Sequence, residues 1–400
     1  MTRRIPIVPA PAAPVEAPAP SLRAPPPLAL YVHFPWCIRK CPYCDFNSHP
    51  VRGEIPQGQY VDALLADLET ALPQIWGRRI HSLFIGGGTP SLIEPGQLGR
   101  LLDGVRALGN LVPGAEITLE ANPGAADAGR FAAFRDAGVT RLSVGVQSFD
   151  DRMLAAIGRI HDGAEARRAV EAALACFERV NLDLMYGLPG QDPARLASDL
   201  DAALDYRPGH LSCYHLTLEP NTEFHATPPP LPDEDCAAEM QESIEARLAM
   251  AGYEHYEVSA YALAGEACRH NLNYWRFGDY LGIGAGAHGK LSGRHGIVRE
   301  IRHRHPRAYL DAAATGAFVR ETRQVAAEDL PFEFMMNALR LERGFPRELF
   351  EAVTGLPLGV VEAPLRDARR AGLLAIDGER IRPTELGRRF LNELLQRFLP

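Results

Sequence analysis

The sequence lacks three features that would point to a membrane, a nucleic acid or an extracellular disulfide framework. No apolar run approaches the roughly 20 residues that a helix needs to cross a bilayer. Positive charge is not in excess, because 42 lysines and arginines face 50 aspartates and glutamates, so no nucleic-acid partner is expected. The seven cysteines are an odd number in a long chain, which argues against paired disulfides and favours a reducing, cytoplasmic location.

The N-terminal segment also lacks the continuous apolar stretch of a secretory signal, because prolines interrupt it throughout, up to APPP at 24–27. We interpret residues 1–27 as a disordered tail rich in proline and alanine. A transit peptide is the alternative, which the scarcity of serine disfavours. The fold is therefore expected to begin near Leu28.

From Leu28 onward, β-rich runs alternate with helical patterns, which is typical of repeated βα units. Six strands are predicted at 28–34, 81–87, 116–122, 141–147, 181–187 and 210–218, and a further one at 253–262. The sequence therefore predicts an α/β fold in which parallel strands form a partial or complete (β/α) barrel over residues 28–262.

Polar or glycine-rich residues stand at the end of five of these strands. They are Cys37, GGGTP at 86–90, Glu120, Gln147 and Asp183. Because the carboxyl ends of parallel barrel strands meet at one mouth, we expect these groups to project into one cavity.

Three cysteines, Cys37, Cys41 and Cys44, lie close together in YVHFPWCIRKCPYCDF (31–46), and the run has no fourth. Four thiolates would complete the coordination of zinc or of an ordinary iron–sulfur cluster, whereas three hold a [4Fe–4S] cube and leave one iron open. A zinc knuckle or unrelated core cysteines are the alternatives. The strand before the loop and GGGTP farther along the chain favour the cluster.

The motifs together resemble the radical S-adenosylmethionine (SAM) superfamily, whose C-x3-C-x-Ar-C motif is present as CIRKCPYC. The nearest resemblance is to the branch that contains the oxygen-independent coproporphyrinogen III oxidases and the related heme chaperones. It runs from about Leu28 to the C-terminus through YVHFPWC, GGGTPS, EANP, GVQSF, DLMYGLPGQ and HNLNYW. In that superfamily SAM chelates the open iron of the cluster, and the cofactors carry the chemistry.

The resemblance implies a set of site residues. Cys37, Cys41 and Cys44 would ligate the [4Fe–4S] cluster. The residues implied to approach SAM are Tyr31, Gly87, Gly88, Thr89, Glu120, Gln147, Arg159 and Asp183. Glycine admits a ligand close to the backbone, a carboxylate suits an ammonium or ribose hydroxyls, and arginine can pair a carboxylate through two N–H groups.

Two features separate the oxidases from the chaperones. The oxidases carry a further cysteine two places after the third cluster ligand, where this sequence has Phe46. HNLNYW at 270–275 fits the H-N-x-x-Y-W motif of the heme chaperones. The imidazole of His270 is suited to axial ligation of heme iron, with Tyr274 and Trp275 as flat apolar faces for a porphyrin. A lone histidine is more often structural, but the whole hexad favours a role in heme binding.

The rest of the chain is divided into two further parts. Residues 263–327 are predicted to carry the heme motif and a connecting region, and residues 328–400 a winged-helix-like domain with a hairpin at Asp377-Gly378. Residues 361–400 hold eight arginines and six acidic residues, too balanced a charge for a clear DNA-binding surface.

These observations predict a heme chaperone that binds a [4Fe–4S] cluster, SAM and heme. Its expected partners are heme-accepting proteins, membrane-bound respiratory ones among them, and a homodimer is left open. The alternative is an oxygen-independent coproporphyrinogen III oxidase, which decarboxylates porphyrinogen propionates. Radical chemistry on an unrelated substrate is the third reading.

Overall fold

The computed structural model describes residues 20–125, 128–294 and 296–400. Within this part, seventeen strands are, in chain order, β1 (Leu28–Phe34), β2 (Trp36–Cys37), β3 (His49–Pro50), β4 (Ile80–Gly87), β5 (Leu111–Ala121), β6 (Arg141–Gln147), β7 (Arg179–Tyr186), β8 (His210–His215), β9 (Glu254–Glu257), β10 (Ala260–Ala262), β11 (Asp279–Ile283), β12 (His288–Gly293), β13 (Gly296–Arg302), β14 (Val319–Gln324), β15 (Phe345–Pro346), β16 (Leu374–Asp377) and β17 (Arg380–Pro383).

The helices lie between and after these strands. They are α1 (Gln57–Ala71), α2 (Pro95–Leu108), α3 (Ala128–Ala137), α4 (Asp151–Ala156), α5 (Gly163–Cys176), α6 (Pro193–Asp205), α7 (Glu223–Ala226), α8 (Glu234–Met250), α9 (Arg269–Trp275), α10 (Pro306–Ala312), α11 (Leu330–Ala338), α12 (Arg347–Thr354), α13 (Glu362–Arg370), α14 (Glu385–Arg389) and α15 (Leu391–Gln396). Asp150, Asp162, Asp192 and Asp233 each accept a backbone N–H at the start of a helix. These caps explain where several helices of the barrel begin.

One twelve-stranded sheet forms the body of the molecule, in the order β14-β13-β12-β11-β1-β4-β5-β6-β7-β8-β10-β9. The pairings from β11 to β8 are all parallel. Because β9 and β14 lie at opposite ends of the strand order, the sheet is an open, partial barrel. The predicted α/β class and the six predicted strands are confirmed, with bounds shifted by a few residues.

The structure corrects two boundaries. Residues 263–327 do not form a separate connecting region, because β11 pairs in parallel with β1 and β12–β14 extend the same sheet in antiparallel fashion. The predicted strand at 253–262 is a hairpin of β9 and β10, paired in antiparallel fashion about Val258 and Ser259. Both boundaries depend on which strands pair through backbone hydrogen bonds. The local sequence pattern of one strand does not show its partner strand.

The predicted tail, residues 1–27, falls largely outside the described residues, which begin at Pro20. Its last residues lie against the fold. The backbone N–H of Ser21 donates to the carbonyl of Gly355 at 3.0 Å, and Arg78 donates to the carbonyl of Pro26 at 2.6 Å. The ordered chain therefore begins before Leu28, because these carbonyls and N–H groups find partners on the body of the protein.

The C-terminal region has its own apolar core, built around Phe334, Phe345, Phe350 and Ile381. A small sheet in the order β15-β17-β16 lies beside helices α11–α15. The hairpin predicted at Asp377-Gly378 is present, since Asp377 pairs with Arg380. Helices with a hairpin wing agree with the predicted winged-helix-like arrangement. None of the helices in the described residues is long and apolar enough to cross a membrane.

Candidate functional site

The cysteine loop is held at its base by a short parallel pairing. Trp36–Cys37 pairs with His49–Pro50, and the N–H of Val51 donates to the carbonyl of Cys37 at 2.9 Å. Inside the loop, a turn is formed by the N–H of Cys44 and the carbonyl of Cys41, 3.1 Å apart. A loop with closed ends and an internal turn directs Cys37, Cys41 and Cys44 into one cavity, and all three line it.

The three thiols are free and lie in a partly apolar setting. Burial raises the pKa of Cys37 and of Cys44, so neither is a ready thiolate without a metal partner. Arg159 Nη1 lies 3.8 Å from the sulfur of Cys41. Within the described residues, no three histidine, cysteine or acidic side chains converge as ligands of a single ion. Three soft donors spread along a loop fit an iron–sulfur cube better, because its iron corners are separate ligand positions.

The cavity lies at the carboxyl end of the parallel strands and measures about 410 Å³, a size typical of small-molecule sites. It is lined by the three cysteines and by most of the predicted SAM residues, namely Gly87, Gly88, Thr89, Glu120, Gln147, Arg159 and Asp183. Tyr31 lies beside it, since a Cβ added to Gly86 would stand 3.2 Å from the Tyr31 ring and 3.1 Å from Glu120 Oε2. Residues from five separate strands or their following loops are thus brought together as the sequence predicted.

Gly87, the last residue of β4, and Gly88 after it are required by close packing. A Cβ on Gly88 would stand 2.4 Å from the carbonyl oxygen of Trp36, and one on Gly87 would stand 2.7 Å from the His33 ring. The N–H groups of Gly87, Gly88 and Thr89 are already used, by Glu120, Phe34 and Trp36 respectively. This segment can therefore approach a ligand through its carbonyl oxygens, which accept hydrogen bonds from an ammonium group.

Glu120 and Asp183 place two carboxyl groups in the interior of the cavity. Burial, and then the nearby charge of Asp183, raise the pKa of Glu120 to about 8. Burial also raises the pKa of Asp183, against hydrogen bonds from Asn181 and Ser143. Two carboxyl groups that burial disfavours as anions favour a cationic guest, and SAM carries an ammonium and a sulfonium.

Arg159 also lines the cavity and is held by Asn122. Its Nη2 donates to Asn122 Oδ1 at 2.6 Å and to the carbonyl of Gly145 at 2.7 Å. Its Nε is buried without a hydrogen-bond partner among the described residues. A guanidinium group that lines a ligand cavity fits the carboxylate of a guest.

The sequence analysis did not identify Asn122 as a cavity residue, and it did not predict the backbone conformation of Gln147. Asn122 lines the cavity and also donates to Thr89 Oγ1 at 3.1 Å, so it links the glycine segment to Arg159. The EANP motif contained this signal. Gln147 has a φ of +68° at the end of β6, next to a register shift against β7. Residues other than glycine that adopt such strained backbone conformations occur most often at binding sites.

His270 lies elsewhere. The whole HNLNYW motif forms α9, which closes the end of the barrel opposite to the cysteines, and His270 is only 2% exposed. Its ring is 5.1 Å from that of Phe84 and 5.0 Å from that of Tyr274. Burial, with the nearby charge of Arg141, lowers its pKa to about 3. In this conformation a porphyrin has no access to the imidazole, so ligation of heme iron requires α9 to move. Ligation of heme by His270 therefore stays a prediction, and it depends on a movement of α9.

Comparisons with known proteins agree with this fold. Residues 31–203 match the family model of the radical SAM superfamily, and residues 325–390 match that of the HemN C-terminal domain. The solved structure of coproporphyrinogen III oxidase from Escherichia coli, a radical SAM enzyme, superposes with a TM-score of 0.79 at 23% identity and covers 94% of this chain and 90% of that one. The fold and the cysteine loop therefore define a protein of the radical SAM class.

Two relatives narrow the class. The chain is 49% identical over 376 residues to the heme chaperone HemW of Escherichia coli, covering 94% of this chain and 98% of the relative. It is 46% identical over 380 residues to the heme chaperone HemW of Haemophilus influenzae, with coverage of 94% and 98%. The chain belongs to the HemW family of heme chaperones.

Proposed function

We propose that this protein binds heme and passes it to heme-requiring acceptor proteins, and that it carries a [4Fe–4S] cluster and SAM in the barrel. The observation that carries the proposal is the identity to relatives named as heme chaperones over almost the whole of both chains. The cavity itself supports the cofactors through its three free cysteines, its pair of carboxyl groups and the guanidinium group of Arg159.

Each group of the cavity has a role in this proposal. Cys37, Cys41 and Cys44 would hold the cluster, whose open iron would bind the amine and carboxylate of SAM. Glu120 would accept hydrogen bonds from the cationic guest, and Arg159 would donate to its carboxylate. The carbonyl oxygens after β4 and the ring of Tyr31 would border the guest and exclude water.

Phe46 supports a chaperone over an oxidase. It lines the cavity at the position where the oxidases carry their further cysteine, and its side chain is 57% exposed. A phenyl ring there supplies neither a metal ligand nor a proton, but it presents an apolar face at the mouth of the cavity. We propose that the protein holds its cofactors without the oxidase reaction.

The alternative, oxidation of coproporphyrinogen III, is favoured by the complete SAM cavity, which a simple carrier would not need. The test is an anaerobic assay with SAM, a reductant and coproporphyrinogen III, beside a heme titration followed by absorption. We expect stoichiometric heme binding and no protoporphyrinogen. Catalytic formation of protoporphyrinogen would refute the chaperone proposal.

The proposed partners and location follow from the same reasoning. All seven cysteines are free, which supports a reducing cytoplasmic location. The names of the relatives support delivery of heme to acceptor proteins, and membrane-bound respiratory proteins are the proposed recipients. Gel filtration of the protein with and without its cluster tests whether it forms a homodimer, which the sequence left open.

A further inference from the structure

Three rings stand in line through the interior of the barrel, from the cofactor cavity to α9. Tyr31 and Phe84 have ring centroids 6.4 Å apart and planes inclined by 22°. Phe84 and His270 follow at 5.1 Å and 30°. We call Tyr31, Phe84 and His270 the aromatic column. It connects two sequence motifs that are more than 200 residues apart.

The upper end of the column borders the SAM residues. Gly86 lies where three side chains meet, since an added Cβ would be 3.0 Å from Phe84, 3.1 Å from Glu120 and 3.2 Å from Tyr31. Glu120 Oε2 in turn accepts the N–H of Gly87 at 3.1 Å. The Phe84 ring, the Tyr31 ring and the Glu120 carboxyl group therefore border the same small space beside Gly86, and a shift of the Phe84 ring would displace the Tyr31 ring stacked on it.

The lower end of the column is fixed by hydrogen bonds and a buried ion pair. His270 Nδ1 lies 3.1 Å from Ser82 Oγ, and its backbone N–H donates to Glu116 Oε1 at 3.1 Å. The other oxygen of Glu116 accepts from Arg179 at 2.8 Å. His270 is thus held against Phe84 by contacts to two strands of the barrel.

A second, polar route joins α9 to the same cavity. Asn181 donates to Asp183 at 2.8 Å and lies 2.6 Å from His210 Nδ1. His210 Nε2 lies 2.8 Å from the hydroxyl of Tyr256, which accepts the N–H of Cys268 at the start of α9. Both carboxyl groups of the cavity are therefore connected to the position of this helix.

We propose that His270 is a positioning residue for the SAM cavity: through Phe84 it holds Tyr31 in place beside Glu120, and the cavity binds SAM only while α9 stays in the barrel. The inference rests on the proposed function for the identity of the cavity's guest. It gives HNLNYW a role that does not require contact with heme.

The same geometry implies that heme bound to His270 would weaken the binding of SAM. Ligation of heme iron by His270 requires α9 to leave the barrel, and that movement takes away the support of Phe84. Because coupling between two binding equilibria is reciprocal, saturating SAM then weakens heme binding, and heme weakens SAM binding, by the same factor.

The test uses protein that carries its reconstituted cluster and is titrated with SAM under anaerobic conditions. Binding is measured as the SAM-dependent change in the electron paramagnetic resonance spectrum of the reduced cluster. His270→Ala and Phe84→Leu remove one ring of the column, and Phe84→Leu keeps most of the apolar volume. His270→Phe keeps a ring against Phe84 but removes the imidazole. Phe350→Ala is the matched control, because it removes a fully buried ring in the C-terminal region.

We expect His270→Ala and Phe84→Leu to weaken SAM binding about tenfold, with unchanged iron content. His270→Phe should retain most of the affinity, and Phe350→Ala should leave it unchanged. Unchanged affinity in both column variants overturns the proposal, and so does equal weakening in Phe350→Ala.

Heme titrations of the wild type with and without SAM complete the experiment. Weaker heme binding with saturating SAM, lost in Phe84→Leu, supports the column as the link. Heme affinity that does not depend on SAM overturns the antagonism. A wild type that binds no heme refutes the proposed chaperone function, while the SAM titrations still judge the positioning role of His270.

Discussion

The two ends of the barrel use similar side chains in opposite ways. At the end that carries the cysteines, Arg159 Nε is buried without a hydrogen-bond partner among the described residues, and the charge of Asp183 disfavours the carboxylate form of the buried Glu120. At the other end, Glu116 is paired with Arg179, and Asn181, His210 and Tyr256 form a continuous chain of hydrogen bonds.

The cysteine end places charged groups around a cavity, whereas the unpaired atoms of the α9 end, His270 Nε2 and Trp275 Nε1, belong to neutral rings and are buried. Polar groups that satisfy one another stabilise a fold, whereas groups left unsatisfied cost free energy unless a ligand meets them. The strained backbone of Gln147 belongs to the cysteine end, and the closing helix α9 belongs to the other. The predictions below are ordered from the largest expected effect to the smallest.

The cysteine end should lose its guest completely without its sulfur ligands. Cys37→Ala, Cys41→Ala or Cys44→Ala each leaves two donors, too few to hold a cube that already has one open corner. We expect no stable cluster and no SAM binding after anaerobic reconstitution, measured as iron and sulfide per chain. Cys236→Ser, on α8 and outside the cavity, is the control that should retain full iron content. A full cluster in any of the three variants would contradict the assignment.

The closed end should lose stability when its ion pair is broken. Glu116→Ala removes the 2.8 Å partner of Arg179, which keeps its 3.0 Å contact with Glu266, and leaves the N–H of His270 without an acceptor. Loss of these buried hydrogen bonds costs about 2–3 kcal/mol in the free energy of unfolding. Urea denaturation followed by circular dichroism measures it. A change below the error of the measurement would show that the pair is not needed.

Removal of the Glu120 charge should stabilise the protein, whereas removal of Glu116 should destabilise it, because burial disfavours the Glu120 carboxylate. Its pKa rises from 4.5 to about 8 in the folded protein, so the folded protein keeps a proton that the unfolded chain has lost. Stability therefore falls as the pH rises from about 4.5 to about 8, and Glu120→Gln should raise the free energy of unfolding by about 1–3 kcal/mol at pH 7.5.

The same carboxyl group should make SAM binding depend on pH. A cationic guest favours the carboxylate, so the affinity of the wild type should fall as the pH is lowered below about 8. Glu120→Gln should bind SAM more weakly and lose this dependence. Glu239→Gln, an exposed residue of α8, is the control for both measurements. Equal pH profiles for the wild type and Glu120→Gln would remove Glu120 from the site.

The smallest effect is expected where neither end is touched. Arg100 and Asp62 form an ion pair on the outer surface, with side chains 42% and 68% exposed. Water screens such pairs, so Asp62→Ala should change the free energy of unfolding by no more than about 1 kcal/mol. A loss similar to that of Glu116→Ala would mean that burial does not explain the contrast between the two ion pairs.

Local patterns predicted the parallel strands well. The runs at 28–34 and 141–147 have the bounds of β1 and β6, because short apolar segments with polar ends are read directly from the chain. The strand β11 was missed, since DYLGI is followed by a glycine-rich stretch that reads as a loop. Its assignment as a strand depends on β1, which pairs with it from 250 residues away.

The residues that line the cavity were also largely predictable, because parallel strands must bring their carboxyl ends together. The pKa values and the fixed positions of these side chains were not predictable. The raised pKa of Glu120 depends on burial and on the distance to Asp183, and the fixed position of Arg159 depends on Asn122. Such quantities arise from contacts between strands and cannot be read from one strand.

The sequence by itself determined the radical SAM character of the protein, the prediction that Cys37, Cys41 and Cys44 hold a cluster, and the order of the βα units, because each rests on spacing within a short segment. The tertiary structure alone decided that His270 is enclosed, that HNLNYW closes the far end of the barrel and that Phe84 stands between it and Tyr31. The physical reason is that burial and contact are properties of neighbours in space, and these neighbours come from segments that are far apart in the chain.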